Sequence, residues 1–299
     1  MEQVQATHLL SIHNDLGEGP LWHPIEKRLY WVDIEVGHLH RYNPASGIHK
    51  LFEFDTSIGA FGFRQNNGLI LATGKGFASW LPGQSDLQIL ADPIGGKPGV
   101  RLNDGKVDSI GRFWAGSHDP SGHGALYRLD PDGSCHTLLN DVTISNGLGW
   151  SLDDRVLYYT DSGDYAIYTF DFDPVTGALI NRNVFLQLPK DHREGVPDGL
   201  TIDSEGYIWS ARWDAGKVVR HSPEGTAVLE IHLPVSKVTS VTFGGDDLRD
   251  LFITTASTSL SPSQRIKQPL AGDLFVYRSR VSGLPTPFFG AHKIKSASH

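Results

Sequence analysis

Six positions recur at nearly even spacing along the chain: Glu18, Gly59, Asn103, Asn146, Asp198 and Thr239. Four of them sit in similar phrases, Leu16-Gly17-Glu18-Gly19-Pro20, Leu102-Asn103-Asp104-Gly105, Ser145-Asn146-Gly147-Leu148 and Pro197-Asp198-Gly199-Leu200. If these phrases occupy equivalent places in a repeat, two carboxylates and two amides converge on one small space. Oxygen donors crowded together are costly to bury unpaired, and a divalent cation is the simple way to satisfy them. Asn-Gly, Asp-Gly and Glu-Gly also start strands as ordinary turn formers, and a single copy says no more than that. Four copies in register say more.

The elements that must position these residues follow the same beat. The intervals between the six anchors are 41, 44, 43, 52 and 41 residues. A period near forty marks a repeat architecture, because one such unit cannot bury its own apolar face. Each anchor is followed by a second short run rich in β-branched and aromatic residues, such as Leu29-Tyr30-Trp31-Val32, Phe113-Trp114-Ala115 and Leu157-Tyr158-Tyr159-Thr160. Such runs, bounded by turn formers, read as strands. A third strand then ends in a turn such as Asn43-Pro44-Ala45-Ser46-Gly47 or Asp173-Pro174-Val175-Thr176-Gly177. Proline presets the turn's backbone angle and glycine supplies a positive one. The expected fold is all-β, a six-bladed β-propeller of four-stranded antiparallel blades whose innermost strands line a central channel.

A length of 299 residues suggests two domains, but the uninterrupted repeat argues for one, over residues 1–292, with 293–299 a disordered tail. The single cysteine, Cys135, excludes an intrachain disulfide and a cysteine-based metal site. Ring closure must then come from strand pairing, with residues 8–13 expected beside residues 273–278. The start of the chain lacks the basic and apolar stretches of a secretory signal, and no span reaches membrane length, so a soluble cytoplasmic protein is expected. A formal net charge of -8 with scattered basic residues disfavours a nucleic-acid partner.

Other motifs carry less. Asp130-Pro131-Asp132-Gly133 begins like a calcium loop but lacks the later ligands and coincides with the recurrent outer turn. His38-Leu39-His40 puts two imidazoles on one face of a strand with no third ligand nearby in sequence, and reads as a solvated edge. Gly68 to Lys75 has the wrong spacing for a phosphate loop. No Gly-x-Ser-x-Gly elbow and no His-Glu-x-x-His helix is present, which leaves serine hydrolases and zincins unsupported.

The four anchor phrases, extended by Arg101 before Leu102 and by Lys106-Val107-Asp108 after Gly105, resemble the SMP-30/gluconolactonase/regucalcin-like family, which includes bacterial sugar lactonases. The likeness runs from about Leu16 to Tyr277, with the phrases in the family's order. The resemblance implies one divalent cation at the axis, Ca²⁺, Zn²⁺, Mn²⁺ or Fe²⁺, held by Glu18, Asn146 and Asp198. It also implies that Arg101 and Asn103 contact the substrate. Two residues apart on one strand, they share a face, so a guanidinium fork and an amide can both reach sugar hydroxyls. The stretch from His118 to Gly124 is shorter than the loop that carries an acidic substrate contact in the animal proteins, and His118 or Asp119 is the candidate replacement.

The activity so implied is hydrolysis of a sugar lactone to the aldonic acid. Asp198 is the candidate general base, since a carboxylate can lean on a cation with one oxygen and take a proton with the other. The alternative is that the cation itself activates the water and Asp198 only positions it. Two rival readings keep the same site: a calcium-dependent phosphotriesterase or arylesterase, which an apolar pocket would favour, and a non-catalytic metal-binding propeller.

Overall fold

The computed structural model describes residues 1–290, so the reading of 293–299 lies outside the described residues. The second-strand runs are apolar on both faces because each lies between neighbouring sheets; Arg28–Asp33, for example, is buried from Leu29 onward. Outer strands face water, and Leu179–Gln187 is mostly exposed. Burial thus falls from the axis outward.

Each repeat forms a four-stranded antiparallel meander, and six of them close into a β-propeller as expected. The innermost strands are Gly17–His23, Ile58–Phe63, Arg101–Val107, Ser145–Trp150, Val196–Ile202 and Val238–Gly244. Among the described residues the apolar core divides into six clusters, one between each pair of neighbouring blades. Tyr30, Phe61 and Phe63 fill the gap between blades one and two, and Trp22, Trp31 and Phe252 fill that between six and one.

The ring closes by strand pairing. Thr7–Leu10 pairs antiparallel with Leu274–Arg278 and completes blade six, close to the expected register. The preceding strand, Glu2–Gln5, adds a parallel fifth strand to blade five beside Ala227–His232, which the sequence reading did not anticipate. Blade six also carries a short helix, Pro262–Lys267, opened by a capping box between Ser261 and Gln264. At the other end of the molecule a strap crosses the ends of the innermost strands. Gly283 bridges Asp203, Thr286 Oγ1 donates to Trp22 O at 2.9 Å, Phe289 bridges Arg64, and Gly290 N donates to Gly111 O at 2.9 Å.

Every innermost strand shifts register at or beside its anchor. In blades three, four and five the pairs Asn103-Asp104, Asn146-Gly147 and Asp198-Gly199 oppose a single residue of the next strand. A bulge of this kind bends the strand and re-aims its side chain. Glycine beside the anchor is needed because the innermost strands nearly touch: a Cβ at Gly147 would lie 2.6 Å from Asp198 O. The degenerate anchor Gly59 has the same cause, since its Cβ would collide with the backbone of Leu102 and Asn103.

Candidate active site at the channel mouth

The bulges deliver Glu18, Asn103, Asn146 and Asp198 to one end of the channel, where a cavity of about 360 Å³ opens. All four are more than nine-tenths buried. Repeated clamps hold the strand entries. Asp33 accepts from Asp15 N and Leu16 N at 2.8 Å each, and Asp161 accepts from Thr143 N and Ile144 N at 2.9 and 3.0 Å.

A hydrogen-bonded chain runs across the floor. Arg101 donates to Asn103 Oδ1, and Asn103 Nδ2 donates to Asn146 Oδ1 at 2.7 Å. Asn146 Nδ2 donates to Ser162 Oγ at 2.8 Å, and that hydroxyl donates to Pro197 O at 2.7 Å. Glu35 Oε1 takes the other end of the Arg101 guanidinium at 3.3 Å. The Asn146 carbonyl therefore has one lone pair engaged and one to spare.

The carboxylates are under electrostatic stress. Burial, and then the charges of Asp198 and Asp104, push the Glu18 carboxyl well above the usual range; burial, and then Asp104, do the same to Asp198. Asp198 Oδ1 is buried and has no hydrogen-bond partner among the described residues. An orphaned carboxylate oxygen among mutually repelling carboxyls fits a small cation, and Glu18, Asn146 and Asp198 can supply the oxygens. Among the described residues no group of three or more His, Cys, Asp or Glu side chains could hold a metal alone, so a third side-chain oxygen beside the two carboxylates has to come from a residue such as Asn146.

His118 and Arg101 line the cavity together with Leu16, Ile34, Ile144, Tyr165, Val196 and Trp213. Burial, and then the Arg101 charge, lower the His118 pKa and favour its neutral ring. Asp119 does not line the cavity; its Oδ1 is taken by the backbone N–H of Ser121 at 2.8 Å and by its hydroxyl. Glu35, Ser162, Tyr165 and Trp213 also stand here, at or near strand ends, and carry no repeat signal by which the sequence alone would reveal them. His40 is not at a solvated edge: it is 5% exposed, stacked on Trp31 with ring centroids 4.8 Å apart, and its Nδ1 lies 3.0 Å from His49 Nε2. A third imidazole, distant enough in sequence to be overlooked, covers it.

The chain is 42% identical to the pentonolactonase XacC of Haloferax volcanii, covering 85% of this chain and 86% of that one. It is 37% identical to the 6-deoxy-6-sulfogluconolactonase of Pseudomonas putida, covering 92% and 94%. The crystal structure of a calcium-binding protein, regucalcin, from Agrobacterium tumefaciens superposes with a TM-score of 0.91 at 26% identity, covering 96% of this chain and 98% of that one. The model of the SMP-30/gluconolactonase/LRE-like region matches residues 16–257, and on that extent of match the chain belongs to this family.

Proposed function

We propose that the protein hydrolyses a sugar lactone to its aldonic acid with the help of one divalent cation held by Glu18, Asn146 and Asp198. The observation that carries this reading is the orphaned Asp198 Oδ1 beside a second strained carboxylate, at the floor of a cavity that also presents an arginine. The named activities of the two lactonase relatives support the substrate class, and the calcium-binding Agrobacterium protein supports the cation. An all-oxygen donor set suits Ca²⁺ or Mn²⁺ better than a thiol-seeking metal.

When bound, the cation would polarise the lactone carbonyl and stabilise negative charge developing on its oxygen. The chain's own residues do the rest. Arg101, braced by Glu35 and Asn103, presents guanidinium donors to ring hydroxyls. The Asn103–Asn146–Ser162 relay fixes the floor so that no polar group reorganises during the reaction. Asp198 accepts a proton from the attacking water as its oxygen bonds to the carbonyl carbon. The ring C–O bond then breaks, and the same proton passes to the leaving ring oxygen, giving the open hydroxy acid.

The rim favours a second reading. Leu16, Ile34, Ile144, Val196, Tyr165 and Trp213 make the cavity walls more apolar than polyol recognition alone demands. Aryl esters or phosphotriesters are therefore the competing substrate class. A pH-indicator screen of aldonolactones against phenyl acetate and paraoxon, with spontaneous hydrolysis subtracted, separates the readings. Higher kcat/KM on an aldonolactone supports lactonase action; turnover confined to the aryl substrates, or none at all, rejects it.

A further inference from the structure

The channel has a second chamber. Innermost strands that begin at the candidate active site end, on the far side of the ring, at a cavity of about 420 Å³, within the size range of small-molecule sites. Between the two lies a constriction of about 10 Å³ bounded by Pro20, Phe61, Asp104, Leu200 and Val241, space for hardly one water. Asn103 and Lys106 mark the two sides, three residues and therefore about 10 Å apart along one strand. The chambers are separate compartments.

The far chamber has apolar walls from Leu21, Val107, Trp150, Ile202 and Phe243, and the strap lays Leu284, Pro285 and Pro287 across its mouth. Its one ammonium is Lys106, at the constriction. An ammonium has three donors, and the described residues give Lys106 Nζ a single carbonyl, Leu200 O at 2.9 Å. Asp104 is the opposing charge on the constriction side, and Asp154 stands among the lining residues on a surface turn. The hydroxyls of Thr201 and Thr242 also line the chamber and have no hydrogen-bond partner among the described residues. Donors without acceptors at the base of an apolar chamber ask for a ligand with an anionic, hydrogen-bond-accepting head and an apolar body.

The geometry points to a second binding site in the far chamber, for a small amphiphilic carboxylate whose head group pairs with Lys106 and whose chain lies beneath the strap. The site is independent of the proposed hydrolytic centre. Neither a sugar nor a neutral hydrocarbon fits as well: the lining is mostly apolar, and an uncharged chain leaves the remaining donors of the ammonium without an acceptor.

Isothermal titration of the full-length protein with octanoate, octanol and octylammonium tests this. Octanoate binds, and octanol and octylammonium bind at least about tenfold more weakly, the usual worth of a charged hydrogen bond. Lys106→Met levels octanoate with octanol. Leu284→Asp, on a strap residue 40% exposed whose replacement leaves the core untouched, weakens octanoate by placing a like charge at the mouth. Arg101→Ala, at the other end of the channel, leaves octanoate affinity unchanged. The proposal is overturned if millimolar octanoate gives no heat, if the wild type binds octanoate and octanol alike, if both Lys106→Met and Leu284→Asp bind octanoate as the wild type does, or if Arg101→Ala abolishes binding.

Discussion

Replacing Asp198 by asparagine keeps an oxygen for a cation and removes the proposed proton acceptor. In Asp198→Asn, kcat falls by about a hundredfold to ten-thousandfold, while calorimetry still detects cation binding. Arg101→Ala instead raises KM with kcat largely kept, because its contacts to hydroxyls exist in ground and transition states alike. Steady-state kinetics on one aldonolactone resolves both, and a loss in Asp198→Asn of less than about tenfold would reduce Asp198 to a positioning role. Asn103→Ala is a less clean probe, since Asn103 also holds the Asn146 carbonyl. The floor residues were legible in sequence because their repeat spacing exposed them. Glu35 and Ser162 were not, because they sit in connections that obey no period, nor was Trp213, at the last position of its strand, and Asp119 lies in a loop whose internal hydrogen bonds only the fold reveals.

At the scale of the strand, the bulge is the device that turns a repeat into a site. Gly147→Ala tests it: the new Cβ would collide with Leu200 N and meet Asp198 O at 2.6 Å, and both of these are backbone atoms, which cannot step aside. A destabilisation of about 1–3 kcal/mol by urea titration is expected, together with lost turnover because Asp198 is the residue displaced. Blade one supplies a pH test. Burial, and then the charges of neighbouring histidines, lower the His40 pKa to about 3. An unfolded histidine titrates near 6.5, so between about pH 6.5 and 3 the unfolded chain holds the extra proton. The stability due to neutral His40 is fully present above about pH 6.5 and is lost as pH falls towards 3. His40→Phe, which keeps a ring over Trp31, should flatten the acid limb of the stability profile measured by chemical denaturation; an unchanged limb would mean that His40 is already solvated. The strands themselves were readable from alternation and turn residues, whereas bulges and histidine stacking arise from contacts between strands far apart in sequence.

For the whole molecule, closure rests on residues 1–13, which pair with blades five and six and place two backbone N–H groups on Asp273. Deleting residues 1–12 removes both pairings, and a lower Tm in calorimetry is expected; an unchanged Tm would show that the six inter-blade clusters hold the ring alone. Six blades and their order followed from the period of the anchors, but the parallel strand on blade five and the strap across the far face did not, since neither belongs to the repeat. We read residues 1–292 as one domain, and a single calorimetric unfolding transition is the outcome expected of it. A cation bound only by the folded ring stabilises it by mass action, so chelation should lower the temperature of that transition. The most direct measurement of the central claim is aldonolactone turnover by chelator-stripped protein before and after Ca²⁺ or Mn²⁺ is restored. Loss of activity on stripping and recovery on restoration, in wild type but not in Asp198→Asn, is the predicted result; full activity in the stripped wild-type protein would contradict it.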